Sequence, residues 1–126
     1  MSLTERAASA AVQRSAERLQ REHEAQRLHD IMPALRSLRI SIKETGKLVP
    51  TKYLKHVVVS SAPALFVFPC GDSWCQGGGH DITSAMLYSL RAMRTHFTGQ
   101  HSCDGNIGSA SCRRVIEYEV FAEYQS

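Results

Sequence analysis

All four cysteines of the chain, and seven of its eight glycines, fall between Cys70 and Cys112. They form two pairs, Cys70-x4-Cys75 and Cys103-x8-Cys112, with 27 residues (76–102) between them. The first loop reads Cys70-Gly71-Asp72-Ser73-Trp74-Cys75 and the second runs Cys103-Asp104-Gly105-Asn106-Ile107-Gly108-Ser109-Ala110-Ser111-Cys112. Four thiolates fill the tetrahedral shell of Zn²⁺, and glycine lets a backbone turn tightly around an ion. The pattern therefore predicts a four-sulfur site built from Cys70, Cys75, Cys103 and Cys112. His80 and His101 flank the pairs and could each replace one thiolate. Zn²⁺ is the expected ion, with an iron–sulfur cluster as the alternative, because four thiolates also suit a [2Fe–2S] centre.

The two pairs can meet. A helix over Asp81–Phe97 would be about 25 Å long, and the linkers on either side each reach roughly 20 Å when extended. Folded back along the helix, each need cover only half its length. A site with every position filled by protein is structural, whereas a catalytic one keeps a place open for water. The catalytic variant would use three ligands with Asp72, His80 or Asp104 as acid–base group. A zinc deaminase is excluded. Pro69-Cys70 begins like its Pro-Cys-x-x-Cys half, but Cys75 comes two residues late and no His-x-Glu precedes it. Trp74, inside the first loop, is expected to pack over the sulfurs and keep water away.

Around this window the hydrophobic period changes along the chain. Residues 3–30 lack Gly and Pro and are rich in Ala, Glu, Arg, Gln and Leu, which predicts one long helix. Its apolar stripe (Leu3, Ala7, Ala10 or Ala11, Val12, Leu19, Leu28) is thin, so residues 1–30 read as a helix for docking or self-association. Residues 31–126 read as a single α+β domain with metal-binding loops 70–80 and 101–112. Leu38, Ile40 and Ile42 alternate with Arg39, Ser41 and Lys43 as a half-buried strand. Glu44-Thr45-Gly46-Lys47 reads as a turn, Leu54–Ser60 as a second strand and Ala64–Phe68 as a fully apolar third. Asp81 suits a helix N-cap, and Ile82, Met86, Leu90, Met93 and Phe97 form one helical stripe up to the stop signal Gly99. Arg113–Tyr124 alternates most regularly of all. The expected fold is a long N-terminal helix, then a mostly antiparallel four-stranded sheet with one packed helix, in the order α-β-β-β-α-β. Double-stranded RNA-binding domains share that beginning, but their second helix opens on a lysine cluster. Here it opens Asp81-Ile82-Thr83-Ser84.

Composition bounds the function. At 126 residues and 43% apolar the chain suits one domain with a sizeable core, and no uncharged apolar run reaches the roughly 18 residues of a spanning helix. Charges interrupt every candidate secretory signal near the N-terminus, so a cytoplasmic protein is expected, where cysteines serve as ligands or reactive thiols more than as disulfides. Residues 31–60 hold Arg36, Arg39, Lys43, Lys47, Lys52 and Lys55 against Glu44, a local net of +5. That patch allows a nucleic-acid contact, but only Tyr53 interleaves it, so base stacking is poorly supported. The favoured reading is a non-catalytic zinc-binding interaction or regulatory module, with a protein partner or a second copy docking on the N-terminal helix and no membrane contact. The alternatives are a thiol-redox or metal-dependent enzyme using Cys70 and Cys75, and a nucleic-acid-binding module using residues 31–60.

Overall fold

The computed structural model describes residues 2–46 and 50–125. Helix α1 spans Leu3–Glu24 and starts with a reciprocal cap. The Ser2 hydroxyl accepts from the Glu5 backbone N–H, and the Glu5 carboxylate accepts from the Ser2 N–H. The sequence predicts this helix to run on to Asp30, yet it stops at Glu24 and one further turn, α2 (Leu28–Ile31), follows. No Gly or Pro breaks it. The cause is tertiary: the Gln26 carbonyl accepts from the Ala64 N–H, the Leu28 N–H donates to the Ala62 carbonyl, and the Leu28 side chain is completely buried.

Strand β1 (Leu35–Thr45) extends the predicted alternation at both ends and pairs antiparallel with β2 (Thr51–Val57). Glu44 and Thr45 therefore belong to the strand rather than to the expected turn. Gly46 follows with a φ of 94°, and Lys47 lies outside the described residues. The apolar run Ala64–Phe68 does not become a sheet strand. Ala64, Phe66 and Phe68 are buried, but only β3 (Val67–Phe68) pairs, with β4 (His80–Asp81), apart from the main sheet. Helix α3 (Thr83–Arg91) is shorter than the predicted Asp81–Phe97. Asp81 sits in β4, and its Oδ1 accepts from the Thr83 N–H in the turn before the helix. At Met93 the backbone turns left-handed, with a φ of 58°, and the chain leaves as strand β5 (His96–Ser102). A small hairpin of β6 (Asn106–Ile107) and β7 (Ala110–Ser111) precedes β8 (Val115–Tyr124).

The four-stranded antiparallel sheet has the order β2-β1-β8-β5, so the fold is α+β as predicted, with β5 formed from the expected helix end at His96 and Phe97 and the expected linker beyond it. One sheet face carries Leu38, Ile40 and Ile42 from β1, Phe97 from β5, and Ile116, Tyr118, Val120 and Ala122 from β8. Ile82, Met86 and Leu90 of the α3 region and the Ala64–Phe68 segment cover it. The helical stripe was thus correct over Ile82, Met86 and Leu90, while Phe97 reaches the same core from a strand. The other face is open, and on it Lys43 stands opposite Glu117, and Ser41 opposite Glu119. The basic residues of 31–60 are therefore interleaved with the acids of β8. Among the described residues no helix is long and apolar enough to cross a membrane.

Candidate metal centre

The fold brings both cysteine loops to one end of the sheet. Cys70 follows β3, Cys103 follows β5, and Cys112 lies between β7 and β8, so these three sulfurs hang near strand ends, while Cys75 lies in the loop between β3 and β4 and the β6–β7 hairpin fills the second gap. The four Sγ atoms all lie within 4.8 Å of one another, and none is in a disulfide. Two contacts run crosswise between the loops: Cys70 to Cys112 at 3.7 Å and Cys75 to Cys103 at 3.7 Å. Sulfurs around a tetrahedral ion with bonds of about 2.3 Å stand roughly 3.8 Å apart. Four cysteines are thus arranged where they could bind a metal ion.

The surrounding backbone serves the sulfurs. The Asp72 N–H points to Cys70 Sγ at 3.5 Å and the Gly105 N–H to Cys103 Sγ at 3.4 Å, donors that favour thiolate over thiol. The loops are locked by the Cys75 N–H to the Asp72 carbonyl, the Cys103 N–H to the Arg114 carbonyl and the Cys112 N–H to the Gly105 carbonyl. Two glycines are sterically required. A Cβ on Gly78 would collide with Cys75 Sγ and stand 2.7 Å from Cys103 Sγ, and one on Gly105 would meet Cys75 Sγ and, at 2.5 Å, Gly78 Cα. Cys103 and Cys112 are buried, while Cys70 and Cys75 are half-buried.

Two of these thiols, Cys70 and Cys75, resist ionisation. Burial pushes Cys70 up to about 12, with the neighbouring thiols Cys112 and Cys103 adding to it, and burial followed by Cys103 and Cys112 pushes Cys75 higher still. Cys112 moves the other way: burial opposes its ionisation, but the Arg114 backbone N–H and the three surrounding thiols stabilise its thiolate. A cation held by the four sulfurs would favour their thiolate forms, and its binding would release protons.

The histidines and acids named as candidates lie elsewhere. His80 is completely buried, and its Nδ1 is 3.1 Å from Nδ1 of His101, so the two rings pair edge to face with each other. Burial and then the nearby His101 lower the pKa of His80 and hold it neutral. Neither ring joins the sulfur cluster. Asp72 accepts from the Trp74 N–H and pairs with Arg114 at 3.5 Å, and Asp104 pairs with Arg18 at 3.4 Å, so both carboxylates are engaged in structure. The shield expected of Trp74 is absent, since its side chain is 79% exposed.

What covers the site instead is α1. Arg14 donates to the carbonyls of Gln76 and Gly77 and, at 2.6 Å, to Asn106 Oδ1. Arg18 donates to the carbonyls of Gly77 and Gly78, and Arg21 pairs with Asp81. The spacing i, i+4, i+7 puts these arginines on one helix face, a signal that was readable in the sequence. Glu44 is a second residue missed. It occupies the inward register after Leu38, Ile40 and Ile42, is 5% exposed, and its Oε2 accepts from the Gly71 N–H at 2.8 Å, tying β1 to the first cysteine loop. An acid in the inward phase of an alternating strand was its signal. No known protein family, curated protein or solved structure matches this chain.

Proposed function

We propose that this chain is a small zinc-binding protein whose Cys70, Cys75, Cys103 and Cys112 hold one Zn²⁺ as a closed structural site, and that it works in the cytoplasm as a protein-interaction or regulatory module rather than as an enzyme. The observation that carries the reading is the four sulfurs gathered within 4.8 Å with crosswise contacts of 3.7 Å. A tetrahedral set of four sulfurs points to zinc or iron. A single ion suits so compact a set better than a [2Fe–2S] centre, whose two irons would draw the thiolates apart into pairs. With every position taken by sulfur there is no open place for water, which favours structure over catalysis. The ion would join the chain after β3 to the start of β8, segments distant in sequence, and so add stability that a small sheet otherwise lacks. Free thiols at this density suit a reducing compartment.

The surface favoured for a partner or a second copy is the side of α1 turned away from the arginines, where Val12 and Leu19 are 70% and 68% exposed. The thiol-redox reading is less well supported: the raised pKa values of Cys70 and Cys75 oppose nucleophilic reactivity. The nucleic-acid reading is weakened by Glu117 and Glu119 among the bases of the open sheet face. Elemental analysis of purified protein tests the central claim. One equivalent of zinc in the wild type, lost in Cys→Ser variants at each of the four positions, is expected. Protein that refolds without metal and keeps its thermal midpoint when zinc is added refutes it.

A further inference from the structure

Ala11 is the one buried residue among the 22 of α1, so the helix gains little from apolar packing. At its C-terminal end the chain is anchored independently, through the backbone bonds of Gln26 and Leu28 to Ala64 and Ala62. Among the described residues, the side chains of α1 reach the metal loops and β4: Arg14 and Arg18 on the carbonyls of Gln76, Gly77 and Gly78, on Asn106 and on Asp104, Arg21 on Asp81, and Ala11 pressed against Gly77. Residues 76–79 contain three glycines, two at φ of 62° and 157°, and are held by the paired backbone bonds of Gln76 and Asn106, the Asn106 Nδ2 bond to Gln76 Oε1 and the Asp104 N–H on the Gly79 carbonyl, before the chain enters β4. Gly78 lies directly on Cys75 Sγ and Cys103 Sγ, and Gly105, next to Asn106, lies on Cys75 Sγ. The carbonyls that receive the arginines are thus set in place by the sulfurs. A divalent ion in four thiolates would also carry a net charge of minus two, opposite in sign to the guanidinium groups of Arg14 and Arg18 on the adjoining loop.

We propose that occupancy of the four-sulfur site controls the docking of α1: with the ion bound the arginines strap the helix over the loop, and with the ion removed the helix detaches up to its anchor at Gln26–Leu28. This rests on the metal reading above and adds a regulated element to it. Such coupling is reciprocal, because the helix must tighten metal binding by the factor by which the metal tightens the helix.

The experiment is hydrogen exchange on the full chain, loaded with Zn²⁺ and after removal by a chelator, with zinc affinity measured by competition against a chromophoric chelator. Removal of zinc is expected to speed exchange across residues 3–24 about tenfold or more while β1 and β8 stay protected. An Arg14→Ala/Arg18→Ala variant is expected to show fast α1 exchange even when zinc-loaded and to bind zinc about fivefold or more weakly. Should chelation also open β1 and β8, the zinc-loaded double variant decides. Unchanged α1 exchange on zinc removal, or unchanged zinc affinity in the double variant, overturns the proposal while the metal site stands. A chain that binds no zinc overturns the metal reading and this coupling together.

Discussion

Gly78 and Gly108 separate two kinds of glycine by what a methyl group would meet. At Gly78 an added Cβ collides with Cys75 Sγ, and the obstruction is the ligand set itself. Gly78→Ala is therefore expected to abolish stoichiometric zinc, measured by elemental analysis, and to lower the thermal midpoint to that of a Cys→Ser variant. At Gly108 the φ of 61° is left-handed, but nothing lies within 4 Å of the added atom. Gly108→Ala should cost only about 1–2 kcal/mol of backbone strain and retain its zinc. A Gly108→Ala protein that loses metal, or a Gly78→Ala protein that keeps it, contradicts the geometry described. The donors themselves were legible from the chain, because cysteine pairs in glycine-rich loops announce their chemistry locally. The roles of Arg18 and Glu44 were legible only in part. Helical spacing and strand phase mark which way each side chain points, but not that a metal loop lies there to receive it.

At the level of elements, β1 and β8 were readable because each alternates strictly over a run long enough to define a buried face. Strand β5 was not. Its sequence, His-Phe-Thr-Gly-Gln-His-Ser, carries one large apolar side chain, Phe97, at a spacing that continues the stripe of α3. Its identity comes from pairing with β8, where Phe97 faces Val120 and Gly99 leaves room for the Tyr118 hydroxyl. The break between α3 and β5 lies at Met93, a residue with a side chain in a left-handed conformation and 47% exposed. Met93→Gly should stabilise the fold by about 0.5–1 kcal/mol, the relief of left-handed strain less the entropy glycine loses on folding. Urea denaturation of the zinc-loaded variant measures this, and a destabilised variant would contradict it. Within α3 the stripe that was read correctly packs the core, and Leu90→Ala, at a completely buried position, should cost about 2–5 kcal/mol in the same assay.

For the molecule as a whole, acid should act through His80. Burial and the neighbouring His101 hold its folded pKa below the ordinary 6.5, with Glu44 and Asp104 pulling weakly in the opposite direction. The folded protein thus refuses a proton that the unfolded chain accepts. The stability this contributes is complete above about 6.5 and is lost as the pH falls through the folded value. In excess zinc, the urea midpoint of the wild type is expected to drop between pH 7.5 and 5.5 more steeply than that of His80→Gln, and parallel slopes would refute it. The chain alone determined the donor chemistry, the two loops that present it and the amphipathic strands that frame it, since each is written in neighbouring residues. Tertiary structure decided that the sulfurs pair across the loops, that a sparse segment becomes the fourth strand and that the N-terminal helix closes over the site. These are contacts between residues far apart in the chain, and local periodicity has no means of encoding which distant surfaces meet.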